Sequence, residues 1–235
     1  MLELDKVKIN FDNQSLWVLN IALAVIMFGV ALGIKPGDFK RLFKQPKLVL
    51  IGVLLQFVLL PLITFLLVLI IQPQPSIALG MMMVAACPGG NISNFMTHLA
   101  NGNTALSVSL TAFATFIAVF MTPFNFQFYG YLYEPTSLLL KEVQLNPLEL
   151  LELVVVILGI PLVLGMLFRA KNENLAILIS KRLKPLSILV FVVIVVIAFT
   201  NNIDVFNTYA HHVIGIGVLH NFLAILLGFM VAEKA

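Results

Sequence analysis

The chain has 235 residues, 60% of them apolar and only 11% charged, with a net charge of +3 and a mean hydropathy of +1.05. A soluble globular protein averages roughly 45–50% apolar and about 25% charged residues, so too few charges are present here to cover a water-facing surface. A soluble enzyme, a disordered chain, a coiled coil and a disulfide-stapled secreted domain are excluded, and no basic cluster beyond short loops signals nucleic acid.

The first fourteen residues, MLELDKVKINFDNQ, are mixed in charge, and the apolar run after them ends in Gly-Ile-Lys-Pro without a small-residue cleavage site. A permanent span over about 15–34 is expected there, not a removable signal peptide. From Leu48 to Tyr133 no Asp, Glu, Lys or Arg occurs. An ionised side chain at mid-bilayer costs about 2.5–3.5 kcal/mol on insertion scales. A spanning helix needs about 20 residues, so this stretch holds three passes, at about 47–71, 76–100 and 103–122. Gln72-Pro-Gln-Pro75 and Asn101-Gly102-Asn103 supply the turns between them. Further segments follow at about 148–168, 185–203 and 205–232, the last two separated by the short turn Asn201–Asp204. All seven segments are expected to be helices, because backbone in lipid must satisfy its hydrogen bonds internally and no period-2 alternation of a barrel is present. The predicted fold class is an all-α membrane protein of seven transmembrane segments, one domain over 1–235.

Lys35, Lys40, Arg41, Lys44 and Lys47 fall between the first two segments. Arg169, Lys171, Lys181, Arg182 and Lys184 fall in an expected loop over 169–184, and Lys234 follows the last segment. In a seven-pass chain these all lie on one side, and the positive-inside rule puts the N-terminus outside and the C-terminus in the cytoplasm of a cell, by expectation bacterial. Trp17, Tyr129, Tyr131, Tyr133 and Tyr209 then sit at the outer ends of helices, as an interfacial aromatic belt would.

The segment 76–100 contains Cys87-Pro88-Gly89-Gly90-Asn91. Proline removes a backbone donor and paired glycines loosen the helix. At 1.5 Å per residue the interruption lies roughly 18 Å in, near the bilayer midplane. Unwound backbone at that depth is tolerated only where protein buries it or a cavity adjoins it; a plain proline kink is the simpler alternative. Beyond the interruption, Asn91, Asn94, Thr97, His98 and Asn101 share one helical face. The next segment carries Thr104, Ser107, Thr111 and Thr115 on one face, and the preceding one holds a lone Gln56 near its middle. Serine and threonine in membrane helices often bond their own backbone or join helices, which is the expectation for Thr104 and Thr115.

Neutral carbonyl and hydroxyl oxygens suit a small, hard monovalent cation. The free N-terminus of a half-helix after Gly90 presents a positive dipole end to an anion. Discontinuous helices of this kind characterise secondary transporters, so the residues themselves point to a sodium-coupled carrier of an anionic solute. A membrane enzyme using Cys87 as nucleophile and His98 as base is the rival from another class, though a cysteine in an apolar helix is usually a small buried residue. His211, His212 and His220 have no acidic or cysteine partner at metal-ligand spacing, so no metal beyond sodium and no catalytic residue is expected. His220 is expected to bond a neighbouring helix, and Met81-Met82-Met83 to serve lipid- or core-facing packing. With sodium as coupling ion, no cofactor is called for.

Cys87-Pro-Gly-Gly-Asn-Ile-Ser-Asn94, Leu99-Ala-Asn-Gly-Asn-Thr-Ala-Leu-Ser-Val108 and Thr111 resemble the bile acid:sodium symporter family. So do Met27–Phe39, Gln56-Phe57 with Pro61, and Leu219-His-Asn221 with Gly228, which extends the likeness over essentially the whole chain. The resemblance implies two inverted repeats, here 15–122 and an incomplete 148–232, divided into a panel and a core with helices crossing near the midplane. It implies one sodium site at Ser93, Asn94, Ser107 and Thr111, a second at Gln56, and Asn91 with Gly90 facing the substrate. That substrate would be an organic anion, a monocarboxylate of bile-acid or pantoate/keto-acid type. Members normally continue into a second crossing helix bearing an acidic ligand, so the likeness implies that this chain is an incomplete piece of the fold. A carrier of related architecture, such as an arsenite extruder using the helix cysteine, is the nearer alternative.

Overall fold

The computed structural model describes residues 13–34, 46–142, 152 and 154–233. Among them the regular structure is helical throughout. Helix α1 (Asn13–Ala31) is followed by α2 (Pro46–Ile71), which passes through a π turn at Leu55–Leu59. The next span is divided into α3 (Pro75–Ala86) and α4 (Asn91–Leu99). Helix α5 (Thr104–Leu132) is succeeded by the short α6 (Glu134–Glu142). A second π turn, Val155–Gly159, runs into α7 (Ile160–Lys171), and α8 (Glu173–Asn201) and α9 (Ile203–Ala232) complete the set.

The expected turns have clear local causes. Gln72 ends α2 in the left-handed region at φ 48° and two prolines follow, the second opening α3. Asn101 ends α4 at φ 54° while the Gly102 amide reaches back to the Thr97 carbonyl at 2.8 Å. That pair closes the helix as a Schellman motif does. Asn103 then caps α5, its side chain accepting from the Leu106 amide at 3.0 Å.

Other boundaries differ from expectation. Helix α5 does not stop at 122 but continues through Pro123 to Leu132, because no charge or glycine pair interrupts the sequence until Tyr133-Glu134. The basic stretch 169–184 is not a loop: Arg169 and Lys171 close α7 and residues 173–184 are the first turns of α8, with Asn172 the single break. Lysine, arginine, leucine and glutamate are good helix formers, so charge marked the end of apolar sequence there without ending the helix. The link from α8 to α9 is a corner at Asn202, where residues Val192–Asn201 and Ile203–His211 meet at 85°. By length and composition Pro46–Ile71, Leu106–Leu132 and Val213–Val231 can each cross a membrane, and the bent pair makes a fourth candidate. Asn20–Ala31 and Pro75–Ala86 are shorter apolar helices.

The broken span α3–α4 runs antiparallel along α5. Leu79 and Gly130 adjoin each other at one end, Ala86 meets Thr122 in the middle, and Asn94 meets Ser107 and Thr111 at the other end. Phe65, Leu67, Val68, Ala78, Met81, Met82 and Tyr129 form a core shared by α2, α3 and α5. Ile216 and Leu223 of α9 pack against that core. Met81 and Met82 face the core, and Met83 is exposed. Ala31, Ile34, Ala112, Val119 and Leu162 bring α1 and α7 against α5. The approach of α7 to α1 is close enough that a Cβ on Gly165 would lie 2.5 Å from that of Ala31.

Candidate functional site

Cys87 leaves the helix with extended backbone (φ −74°, ψ 146°), and Pro88, Gly89 and Gly90 connect it to α4 without helical structure. Cβ atoms built on Gly89 or Gly90 meet nothing within 4 Å, so this connection faces open space. A simple kink would keep the ladder going on both sides of Pro88; here one helix ends and another begins.

Polar side chains converge on either side of that interruption. Ser107 Oγ donates to Asn94 Oδ1 at 2.6 Å, and Thr111 Oγ1 donates to the same oxygen at 3.0 Å. Thr97 Oγ1 lies 2.8 Å from the Ser93 carbonyl and 3.2 Å from Ser107 Oγ, one proton serving both. Four neutral oxygens from α4 and α5 therefore form a connected, partly buried cluster. Ser93 does not join it through its hydroxyl, which donates instead to the Gly90 carbonyl at 2.7 Å. Thr115 bonds the Thr111 carbonyl at 2.7 Å, the local back-bond expected of it. Thr104 is 3.5 Å from the Gly102 carbonyl.

On the other side of α3, Gln56 Nε2 donates to the Cys87 carbonyl at 2.7 Å. The polar side chain near the middle of α2 is thus drawn to the last turn before the break, with its amide nitrogen engaged on the main chain. The side chains of Asn91 and His98 lie outside the described residues. Cys87 is exposed and free. Among the described residues no three of His, Cys, Asp and Glu gather as a metal-binding group.

Two further polar side chains, absent from the residues expected at the site, adjoin this region. Thr122 Oγ1 donates to the Ala86 carbonyl at 2.8 Å and Asn125 Nδ2 to the Phe57 carbonyl at 2.9 Å. Thr97, on the polar face by sequence, joins the cluster through its contact with Ser107. A signal for Asn125 was present in Pro61, whose missing amide leaves the turn before it one backbone donor short. His220 bonds a neighbouring helix, its Nε2 lying 2.8 Å from Thr64 Oγ1 in a buried contact between α9 and α2.

A model of the Sodium Bile acid symporter family matches residues 20–208. The chain belongs to that family. It is 30% identical over 227 residues to the uncharacterized sodium-dependent transporter YocS of Bacillus subtilis (strain 168), a match that takes in 95% of this chain and 68% of that one. It is 32% identical over 160 residues to sodium/bile acid cotransporter 4 of Homo sapiens, 68% of this chain and 36% of the relative. The probable sodium/metabolite cotransporter BASS1 of Arabidopsis thaliana chloroplasts is 37% identical over 107 residues, 46% of this chain and 26% of that protein. The chain thus spans about two thirds of the Bacillus relative and about a third or less of the plant and human ones. As a member of this symporter family it is a membrane-embedded transporter, not an enzyme.

Proposed function

We propose that this symporter couples the entry of an organic anion, a monocarboxylate of bile-acid, pantoate or keto-acid type, to sodium. The proposal assigns Asn94, Ser107, Thr111 and Ser93 to one sodium ion and Gln56 to a second, with Asn91 and Gly90 facing the solute. The supporting observation is the pair of hydroxyls, Ser107 and Thr111, held on the single oxygen of Asn94 beside an interrupted helix. Hydroxyl hydrogens rotate to suit their surroundings. A sodium ion entering the cluster would replace each O–H···O contact by a lone-pair contact, and the protons would swing outward. Ser93 would join by giving up Gly90 or by contributing its carbonyl. Gln56 already spends its amide nitrogen on Cys87, which leaves Oε1 for a cation. The N-terminal amides of α4 favour negative charge nearby, and the open surroundings of Gly89 and Gly90 give a solute room.

In this proposal the chain threads the membrane seven times as part of two inverted repeats, with the N-terminus outside the cell and the basic residues on the cytoplasmic face. The short apolar helices Asn20–Ala31 and Pro75–Ala86, together with α4 and α7, provide the passes beyond the long ones. The test is a thermal-shift panel on the purified full-length protein with taurocholate, pantoate and pyruvate, each in sodium chloride and in choline chloride. Stabilisation by at least one carboxylate, present only with sodium, supports coupling. Equal stabilisation in choline contradicts it.

A further inference from the structure

Two carbonyls at the centre of the fold have lost their helical donors. Phe57 sits in the π turn, where the Leu60 amide serves the Leu55 carbonyl, and the next amide, which Gln56 or Phe57 would receive, is missing because residue 61 is proline; Ala86 would receive the amide of Gly90, which lies beyond the break. Both are served by one helix. Asn125, 4% exposed, donates to Phe57, and Thr122, three residues away on the same face of α5, donates to Ala86. These two carbonyls flank the residues that matter: Phe57 follows Gln56 inside the π turn Leu55–Leu59, and Ala86 precedes Cys87, whose carbonyl Gln56 holds. The same helix α5 carries Ser107 and Thr111. Phe57 itself is buried to 1% exposure, so its segment has little freedom to find another donor.

We infer that Asn125 and Thr122 are positioning residues for sodium binding: they fasten the π turn and the end of α3 to α5, so that Gln56 and the broken helix keep a fixed register. Neither touches the ion. Asn125 acts through Phe57 on its neighbour Gln56, and Thr122 acts through Ala86 on the break. A wide turn followed by proline is the pliable part of α2, and a single side-chain donor from α5 decides where that turn sits. The inference rests on the sodium assignment above and adds to it residues that carry no ligand role.

The experiment measures sodium affinity by titrating the full-length protein with sodium chloride, choline chloride keeping the ionic strength constant, and follows melting temperature in parallel. Asn125→Leu is expected to lower the melting temperature and weaken sodium affinity about tenfold. Adding Pro61→Ala returns a backbone amide to the π turn, so melting temperature is expected to recover while sodium affinity stays weak, because α5 no longer holds the turn. If affinity recovers together with melting temperature, Asn125 only satisfies a carbonyl and the inference is overturned; wild-type affinity in Asn125→Leu overturns it equally. If Asn125→Leu does not fold, Thr122→Val decides. A several-fold weaker affinity there supports the inference and an unchanged one overturns it. A wild-type protein without any sodium response instead refutes the sodium assignment itself, a result separate from all of these.

Discussion

Thr64 and His220 stand 156 positions apart in sequence and share a buried hydrogen bond of 2.8 Å. Thr64 is fully buried and His220 is 6% exposed. Along the rest of α9 most of the large apolar residues are exposed, Ile225 and Phe229 among them. This contact, together with Ile216 and Leu223 packed on the core that α2 shares, ties α9 to α2. Thr64→Val is expected to destabilise by about 1–3 kcal/mol, since it leaves a buried ring nitrogen unpaired. His220→Leu should cost a similar amount. The double variant should cost clearly less than the two together, because both unpaired groups are then gone. Thermal unfolding of the three variants in detergent checks this, and strict additivity would mean that the bond contributes nothing of its own.

Gly165 is the tightest point between α1 and α7. Beyond its 2.5 Å approach to Ala31, a Cβ there would lie 2.9 Å from the Phe28 carbonyl. Gly165→Val is expected to push the helices apart at a cost of about 1–3 kcal/mol. Gly217 in α9 has nothing within 4 Å of an added Cβ, so Gly217→Ala is expected to be neutral, or to stabilise by up to about 1 kcal/mol through helix propensity. Melting temperatures of the two variants test the contrast.

Within the hydroxyl row of α5, neighbouring threonines have different tasks. Thr111 points at Asn94, whereas Thr115 bonds its own helix. Thr111→Val and Ser107→Ala are expected to weaken sodium affinity about tenfold or more, an effect of about 1.4 kcal/mol per tenfold. Thr115→Val should change it less than twofold. Sodium titrations of the three variants give the answer.

Cys87 contributes a carbonyl to the Gln56 contact, while its thiol is exposed and makes no such bond. Cys87→Ala is therefore expected to leave sodium-dependent uptake of an organic anion within about twofold of wild type. Loss of transport in this variant, with arsenite as the transported species, would favour the thiophilic carrier instead.

Much of this fold was legible because lipid leaves a chain few options. Uncharged stretches gave α2, α5 and α9, proline and glycine pairs gave the break after Cys87, and Asn101-Gly102 gave the turn before α5. Charge and a lone proline mark the end of apolar sequence or of a predicted span without ending a helix. Residues 173–184 are charged yet helical, and residues 123–132 continue a helix because Pro123 alone does not stop one. At the site, helical spacing put Asn94, Ser107 and Thr111 on facing stripes, and the structure brings these three together. Spacing carried no information on Ser93, whose hydroxyl turns back to Gly90. Nor could it pair Asn125 with Phe57 or Thr64 with His220, since those contacts depend on how helices far apart in sequence pack.

The central claim is that the oxygens gathered at Asn94 hold sodium. It is tested most directly by the melting temperature of the purified full-length protein titrated with sodium, lithium and potassium chlorides, beside Asn94→Leu. A saturable rise with sodium that potassium does not reproduce, and that Asn94→Leu abolishes, is the predicted result. No rise with sodium, or an equal rise with all three cations, would contradict the account.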